Sequence, residues 1–147
     1  MTAEFEAYVR KALGGGDARY GEAGREIHGQ PAGLVMSIEF ELNGQPFMAL
    51  NGGPAFQFNE AISFQVHCET QDEIDYYWAG LSEGSDPQAQ QCGWLKDKHG
   101  VSWQVVPTVL SKMFSGKSKE NSERVMQALL TMKKINISAL EKAYEGR

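Results

Sequence analysis

No stretch of this chain approaches the roughly 20 consecutive apolar residues that a helix needs to cross a bilayer, so a membrane span is not expected. Positive charge is also in short supply. Fourteen Lys and Arg stand against 19 Asp and Glu, a net charge of −5, which argues against a nucleic-acid partner because phosphate binding needs concentrated Lys and Arg. Cys68 and Cys92 are the only cysteines, and Met1 to Arg10 already carries Glu4 and Glu6, unlike a secretory signal. The cytoplasm is the expected compartment and free thiols the expected state of both cysteines. What is present is ordinary for a soluble globular protein: 147 residues, 41% apolar and 22% charged, enough chain to bury a core without staples.

Phe5, Tyr8, Val9, Ala12 and Leu13 follow the spacing of a one-sided helix, ended by Gly14, Gly15 and Gly16. Asp17 to Ala32 is rich in Gly and charge, with at most a short strand near Ala18–Tyr20. From Leu34 to Leu42 the pattern alternates: Leu34, Met36, Ile38, Phe40 and Leu42 on one face, Ser37, Glu39 and Glu41 on the other, as in a half-buried strand. Asn43-Gly44 is a strong two-residue hairpin signal, and a return strand is expected over about Phe47–Asn51.

A similar order follows. Ala61–Cys68 alternates Ile62, Phe64, Val66 and Cys68 against Ser63, Gln65 and His67. Thr70-Gln71-Asp72-Glu73 is a capping box, opening a helix with the stripe Ile74, Tyr77, Trp78 and Leu81. After a polar loop, Cys92–Asp97 and Val101–Val106 read as a hairpin turned by Asp97-Lys98-His99-Gly100. Pro107 stops it. Helices are expected over Thr108–Phe114, about Lys119–Met132 and Ser138–Tyr144, the last opened by the box Ser138-Ala139-Leu140-Glu141. The chain reads as one domain over residues 1–147, with halves of about 1–55 and 56–107 and a helical tail over 108–147.

Several stretches taken together resemble the PhnB-like, or 3-demethylubiquinone 3-methyltransferase-like, group of the vicinal oxygen chelate (glyoxalase/bleomycin-resistance/dioxygenase) superfamily. They are Phe40 to Gln45, Met48 to Pro54, Asn59 to Val66, Asp75 to Trp78, Cys92 to Lys98, Val101 to Pro107 and Val125 to Ile135. The resemblance implies an α+β fold: paired βαβββ modules whose curled mixed sheets surround a cavity, here with C-terminal helices, usually in a homodimer. The family opens with a strand before its first helix, whereas this chain begins almost at that helix, so the first strand is expected to be missing.

Active superfamily members hold a divalent metal with His and Glu side chains on inner strand faces. The corresponding faces here carry Ser63, Gln65 and His67 on one strand and Ser102, Gln104 and Val106 on the other. Gln104 stands where a metal-binding relative places Glu, and an amide oxygen is a weak, neutral donor. No metal and no cofactor are therefore expected. The residues expected to line a ligand cavity are Ser63, Gln65, His67 and Gln104, joined by Asn51, Trp94 and Glu39. Three of them have a plainer reading: His67 as a hydrogen-bonded or solvated strand histidine, Glu39 as a water-facing carboxylate, Trp94 as core. Trp78, Trp103 and Cys68 read as core, Cys92 as an incidental thiol in a strand, and His28 and His99 as surface residues.

Two signals of nucleotide chemistry fail on order. Gly116-Lys117-Ser118 has Ser111 where a phosphate loop needs its leading glycine, and Gly14-Gly15-Gly16 follows a helix rather than a strand. The sequence thus supports a small-molecule-binding protein without a catalytic metal. The alternative is a divalent-metal lyase, isomerase or dioxygenase using His67 and Glu39; nothing in the residues supports methyl transfer.

Overall fold

The computed structural model describes residues 19–22, 35–42, 44–116 and 118–147, with the backbone alone for 19–22, 35 and 36. The helix expected over Phe5–Leu13, the glycine run after it, His28 and any strand ahead of that helix lie outside those residues. The chain divides into two compact units, Met1–Gln57 and Phe58–Arg147.

In the first unit β1 (Arg19–Glu22), β2 (Val35–Leu42) and β3 (Gln45–Leu50) form an antiparallel sheet in the order β1-β2-β3. Leu42 and Gln45 are paired, so the connection is the two-residue loop that Asn43-Gly44 predicts. Gly44 has φ +77°, where a side chain would strain the backbone. The alternation of β2 then sorts its faces. Ile38 is buried, and Phe40 stacks on Phe47 with ring centroids 5.7 Å apart. On the other face Glu39 lies opposite Met48, and Met48 and Leu50 are exposed.

The second unit begins with β4 (Phe64–Cys68) and α1 (Gln71–Ser82). A 3₁₀ turn over Pro87–Ala89 leads to β5 (Trp94–Lys96) and β6 (Ser102–Pro107). Because α1 carries the chain back along the sheet, β6 lies parallel to β4 and antiparallel to β5, in the order β4-β6-β5. The capping box is formed: Glu73 N–H donates to Thr70 Oγ1 at 3.2 Å, and Thr70 N–H donates to Glu73 Oε2 at 3.2 Å. The stripe of α1 buries Ile74, Trp78 and Leu81, and α1 lies against all three strands. Cys68, Leu95, Trp103 and Val105 are buried in the same unit. Burial, with the nearby Glu73 carboxylate adding to it, pushes the Cys68 thiol up to about 11, so this cysteine behaves as a small apolar core residue.

The tail belongs to this unit. Leu110 and Met113 of α2 (Val109–Ser115), Val125 and Leu129 of α3 (Lys119–Leu130), and Ile135 and Leu140 at α4 (Ile137–Glu145) form one buried cluster. Val106 and Cys92 pack on it. Polar clamps fix the arrangement. The Gln71 side chain donates to Ile135 O at 3.2 Å and accepts from Ile137 N–H at 2.9 Å. Arg124 donates to the last carbonyls of α4, Nε to Ala143 O at 2.9 Å and Nη2 to Tyr144 O at 3.0 Å, satisfying acceptors that a helix end leaves open.

Four local expectations need correction. Residues 61–63 are not strand: the ladder begins at Phe64 opposite Trp103, Asn59 Oδ1 instead accepts from Ala61 N–H at 3.0 Å, and Ile62 is exposed. Cys92 is not in a strand either. Gln91 and Trp94 exchange backbone bonds of 3.0 and 2.8 Å around Cys92 (φ +53°) and Gly93 (φ +84°), a two-residue turn with both central residues left-handed. The last helix opens at Asn136, whose Oδ1 accepts from Ala139 N–H at 2.9 Å, two residues before the expected Ser138. His99 is half-buried rather than a surface residue, because its turn folds inward on Asp97.

Candidate functional site

Register brings the polar residues of the second sheet into one row. In β4 and β6, Gln65 is paired with Gln104, and across the sheet Gln104 is paired with Trp94 of β5. Paired residues share a face. Gln65 Nε2 donates to Gln104 Oε1 at 3.1 Å, and Gln104 Nε2 donates to Ser63 Oγ at 2.8 Å. Gln104 is thus held between two neutral partners, with an exposed Trp94 ring (37% accessible) beside it.

One step along β4, His67 is exposed and paired with Val106. Here the sheet ends in a groove of about 320 Å³. Gln65 and His67 come from β4, Val106 and Pro107 from β6, and Thr108, Leu110, Ser111 and Phe114 from the turn into α2 and from α2 itself. The i,i+4 spacing of Leu110 and Phe114 puts both on one side of the helix. Ser111 Oγ donates back to Thr108 O at 3.0 Å.

This donor set does not fit a divalent ion. Ser63, Gln65 and Gln104 are two amides and a hydroxyl bonded to one another, neutral donors with no carboxylate among them, whereas a divalent ion in a protein site is held by carboxylate, imidazole or thiolate. Turning both amides round changes which oxygen accepts but leaves the same neutral pair bonded to itself. Among the described residues no group of three or more His, Cys, Asp or Glu side chains is arranged to hold a metal.

The other face of β6 is built for packing. Trp103 is 5% accessible, meets Phe64 with ring centroids 5.3 Å apart, and donates Nε1–H to Asp97 Oδ2 at 2.9 Å. Asp97, itself buried, uses Oδ1 to accept from His99 N–H at 2.8 Å and Val101 N–H at 3.0 Å. Ser102, two residues before Gln104 and on the same face of β6, is paired with Lys96, which is ion-paired with Glu60. Ser102 is 3% accessible and its hydroxyl has no hydrogen-bond partner among the described residues. A buried hydroxyl without a partner costs stability, so Ser102→Ala is expected to leave stability unchanged or raise it by up to about 1 kcal/mol. A clear fall in the thermal midpoint would show that the hydroxyl has a partner in solution.

The structure therefore joins Ser63, Gln65 and Gln104, places Trp94 in their row and sets His67 at the adjoining groove. Glu39 and Asn51 belong to the first unit. Within that unit Glu39, with Phe40, Pro46, Phe47 and Met48, borders a depression. Leu110 and Phe114, not among the residues expected to line a cavity, border the groove as well; their only local mark in the sequence is helical spacing.

Comparison with known proteins follows this geometry. No curated protein matches the chain. Among solved structures it is similar to a PhnB protein of Bacillus cereus, described as a candidate 3-demethylubiquinone-9 3-methyltransferase, at 28% identity and a TM-score of 0.56. That match covers 73% of this chain and 91% of the other. It shares a fold with protein PA1353 of Pseudomonas aeruginosa, at 20% identity and a TM-score of 0.52, over 71% and 86% of the two chains. Residues 16–106 match the family model described as 3-demethylubiquinone-9 3-methyltransferase. The chain is a member of that PhnB-like family, with the fold of the vicinal oxygen chelate superfamily.

Proposed function

We propose that this protein binds a small molecule, without a catalytic metal, at the face carrying Ser63, Gln65, His67, Trp94 and Gln104. The observation that carries the reading is the neutral chain from Gln65 through Gln104 to Ser63, next to an open groove. Amides and a hydroxyl fix a ligand's orientation by hydrogen bonds, and adjacent apolar walls supply the burial. Methyl transfer, the activity in the family's description, is not part of the reading. The second sheet has one parallel pair, β4 with β6, not the doubly wound sheet with a glycine turn after its first strand. The homodimer implied by the family likeness belongs to the same proposal, and the exposed Phe58 and Ile62 are consistent with self-association.

Thermal shift against a metabolite panel, with a Gln104→Ala control, is the test. Removing Gln104 breaks two hydrogen bonds near the surface, a loss of about 1 kcal/mol in stability, while a ligand held by this amide is expected to bind about tenfold or more weakly. A ligand that binds the variant as tightly as the parent chain would remove Gln104 from the site.

A further inference from the structure

We propose that the groove beside β4 selects small uncharged molecules that carry one apolar, ring-sized body and one hydrogen-bonding edge, with Phe114 and Leu110 of α2 choosing the body. This rests on the binding function proposed above and narrows its ligand class.

Three observations lead there. The first is the chemistry of the walls. Gln65 and His67 make the polar side, while Val106, Pro107, Leu110 and Phe114 make the apolar side. Among the described residues no Asp, Glu, Lys or Arg lines the groove. A carboxylate, phosphate or ammonium settling against the apolar wall would lose part of its hydration with little beyond the His67 imidazole and the Gln65 amide to replace it, whereas a neutral edge gives up less water for the same hydrogen bonds. The second is size: about 320 Å³ lies at the small end of ligand sites, room for one substituted ring rather than a nucleotide-sized molecule. The third is where the apolar wall comes from. The family match ends at residue 106, and of the apolar wall only Val106 lies inside it, so the body of the ligand meets mainly side chains outside the matched segment, Pro107, Leu110 and Phe114. Gln65 and His67 lie inside it. The hydrogen-bonding edge therefore falls to the family part of the chain, and the shape of the body to the tail.

Four ring-sized probes separate charge from shape: phenol, cyclohexanol, benzoate and benzylamine, each titrated into the full ¹⁵N-labelled chain at neutral pH. Phenol and cyclohexanol are expected to shift the amides of residues 65–67 and 106–114. Benzoate and benzylamine, similar in size but charged, are expected to bind at least tenfold more weakly there. Phe114 also packs on the tail cluster, so Phe114→Ala is paired with Ser111→Trp, which blocks the groove from an exposed position. Ser111→Trp is expected to abolish the phenol shifts while the rest of the spectrum stays that of the folded parent. Charged probes binding the groove as well as phenol would overturn the selection for neutral ligands and leave the binding function standing. No groove shifts with any of the four probes, or phenol shifts that survive Ser111→Trp, would overturn the groove assignment. The binding function is then judged separately, by the metabolite panel and Gln104→Ala.

Discussion

Gly93→Ala is expected to destabilise the second unit by about 2–5 kcal/mol, combining the cost of a left-handed backbone with that of overpacking, and to lower the thermal midpoint by roughly 6–15 °C. Gly93 has φ +84°, and a Cβ built on it would stand 2.7 Å from Ile135 Cδ1 and 2.9 Å from Val105 O. The second contact is backbone and has little freedom to yield. Moreover, Gly93 N–H donates to Lys133 O at 2.8 Å and Gly93 O accepts from Val105 N–H at 2.8 Å. The added methyl thus pushes apart β6 and the segment leading to α4 just where they are pinned. Gly100→Ala is the control. Its φ is +88°, but a Cβ there meets only Phe58 Cβ, at 4.0 Å, so the backbone term of about 1–2 kcal/mol acts alone. Equal losses for the two variants, measured by thermal or urea unfolding, would mean that the close contact at Gly93 relaxes freely.

Trp103→Ala is expected to lose about 3–5 kcal/mol, the range for truncating a buried large aromatic. Its ring fills space against Phe64, and its indole N–H is one of three donors on the buried Asp97 carboxylate. Trp103→Phe keeps most of the packing and removes that donor, so a smaller loss of about 1–3 kcal/mol is expected, in the range for a hydrogen bond to a charged group. One position along, Gln104→Ala should leave folding nearly intact. If unfolding showed Gln104→Ala to be the damaging change and Trp103→Ala the mild one, the two faces of β6 would have been assigned the wrong way round.

Those faces were legible because a strand alternates strictly. Trp103 and Gln104 are neighbours in sequence, and once Val101–Val106 is read as strand they must point apart. The capping box at Thr70 and the hairpin at Asn43-Gly44 were legible for a similar reason: both are local chemistry, completed within four residues. The family likeness was carried by residues spread along the chain and agrees with the match over residues 16–106.

What could not be read depends on distant partners. Cys92-Gly93 looked like strand because Cys and Trp fit an alternating pattern. The turn exists because Cys92 N–H and Gly93 N–H are taken by Met132 O and Lys133 O, at 2.7 and 2.8 Å, forty residues on. Asp97 looked like an ordinary turn residue, and only the fold shows it buried beneath Trp103. The start of α4 slipped because Asn136 and Ser138 are both good caps, and the clamp from Gln71 to Ile137 favours the earlier one. Leu110 and Phe114 gave no sign of facing Gln65 and His67, since the tail docks through a cluster drawn from three helices.

Metal analysis of the purified chain, before and after incubation with zinc, nickel, manganese and iron, tests the neutral-pocket account most directly. The account predicts no stoichiometric ion, and no difference in metal content among the parent, Gln65→Ala, His67→Ala and Gln104→Ala proteins. One tightly held ion per chain, released by Gln104→Ala or His67→Ala, would contradict it.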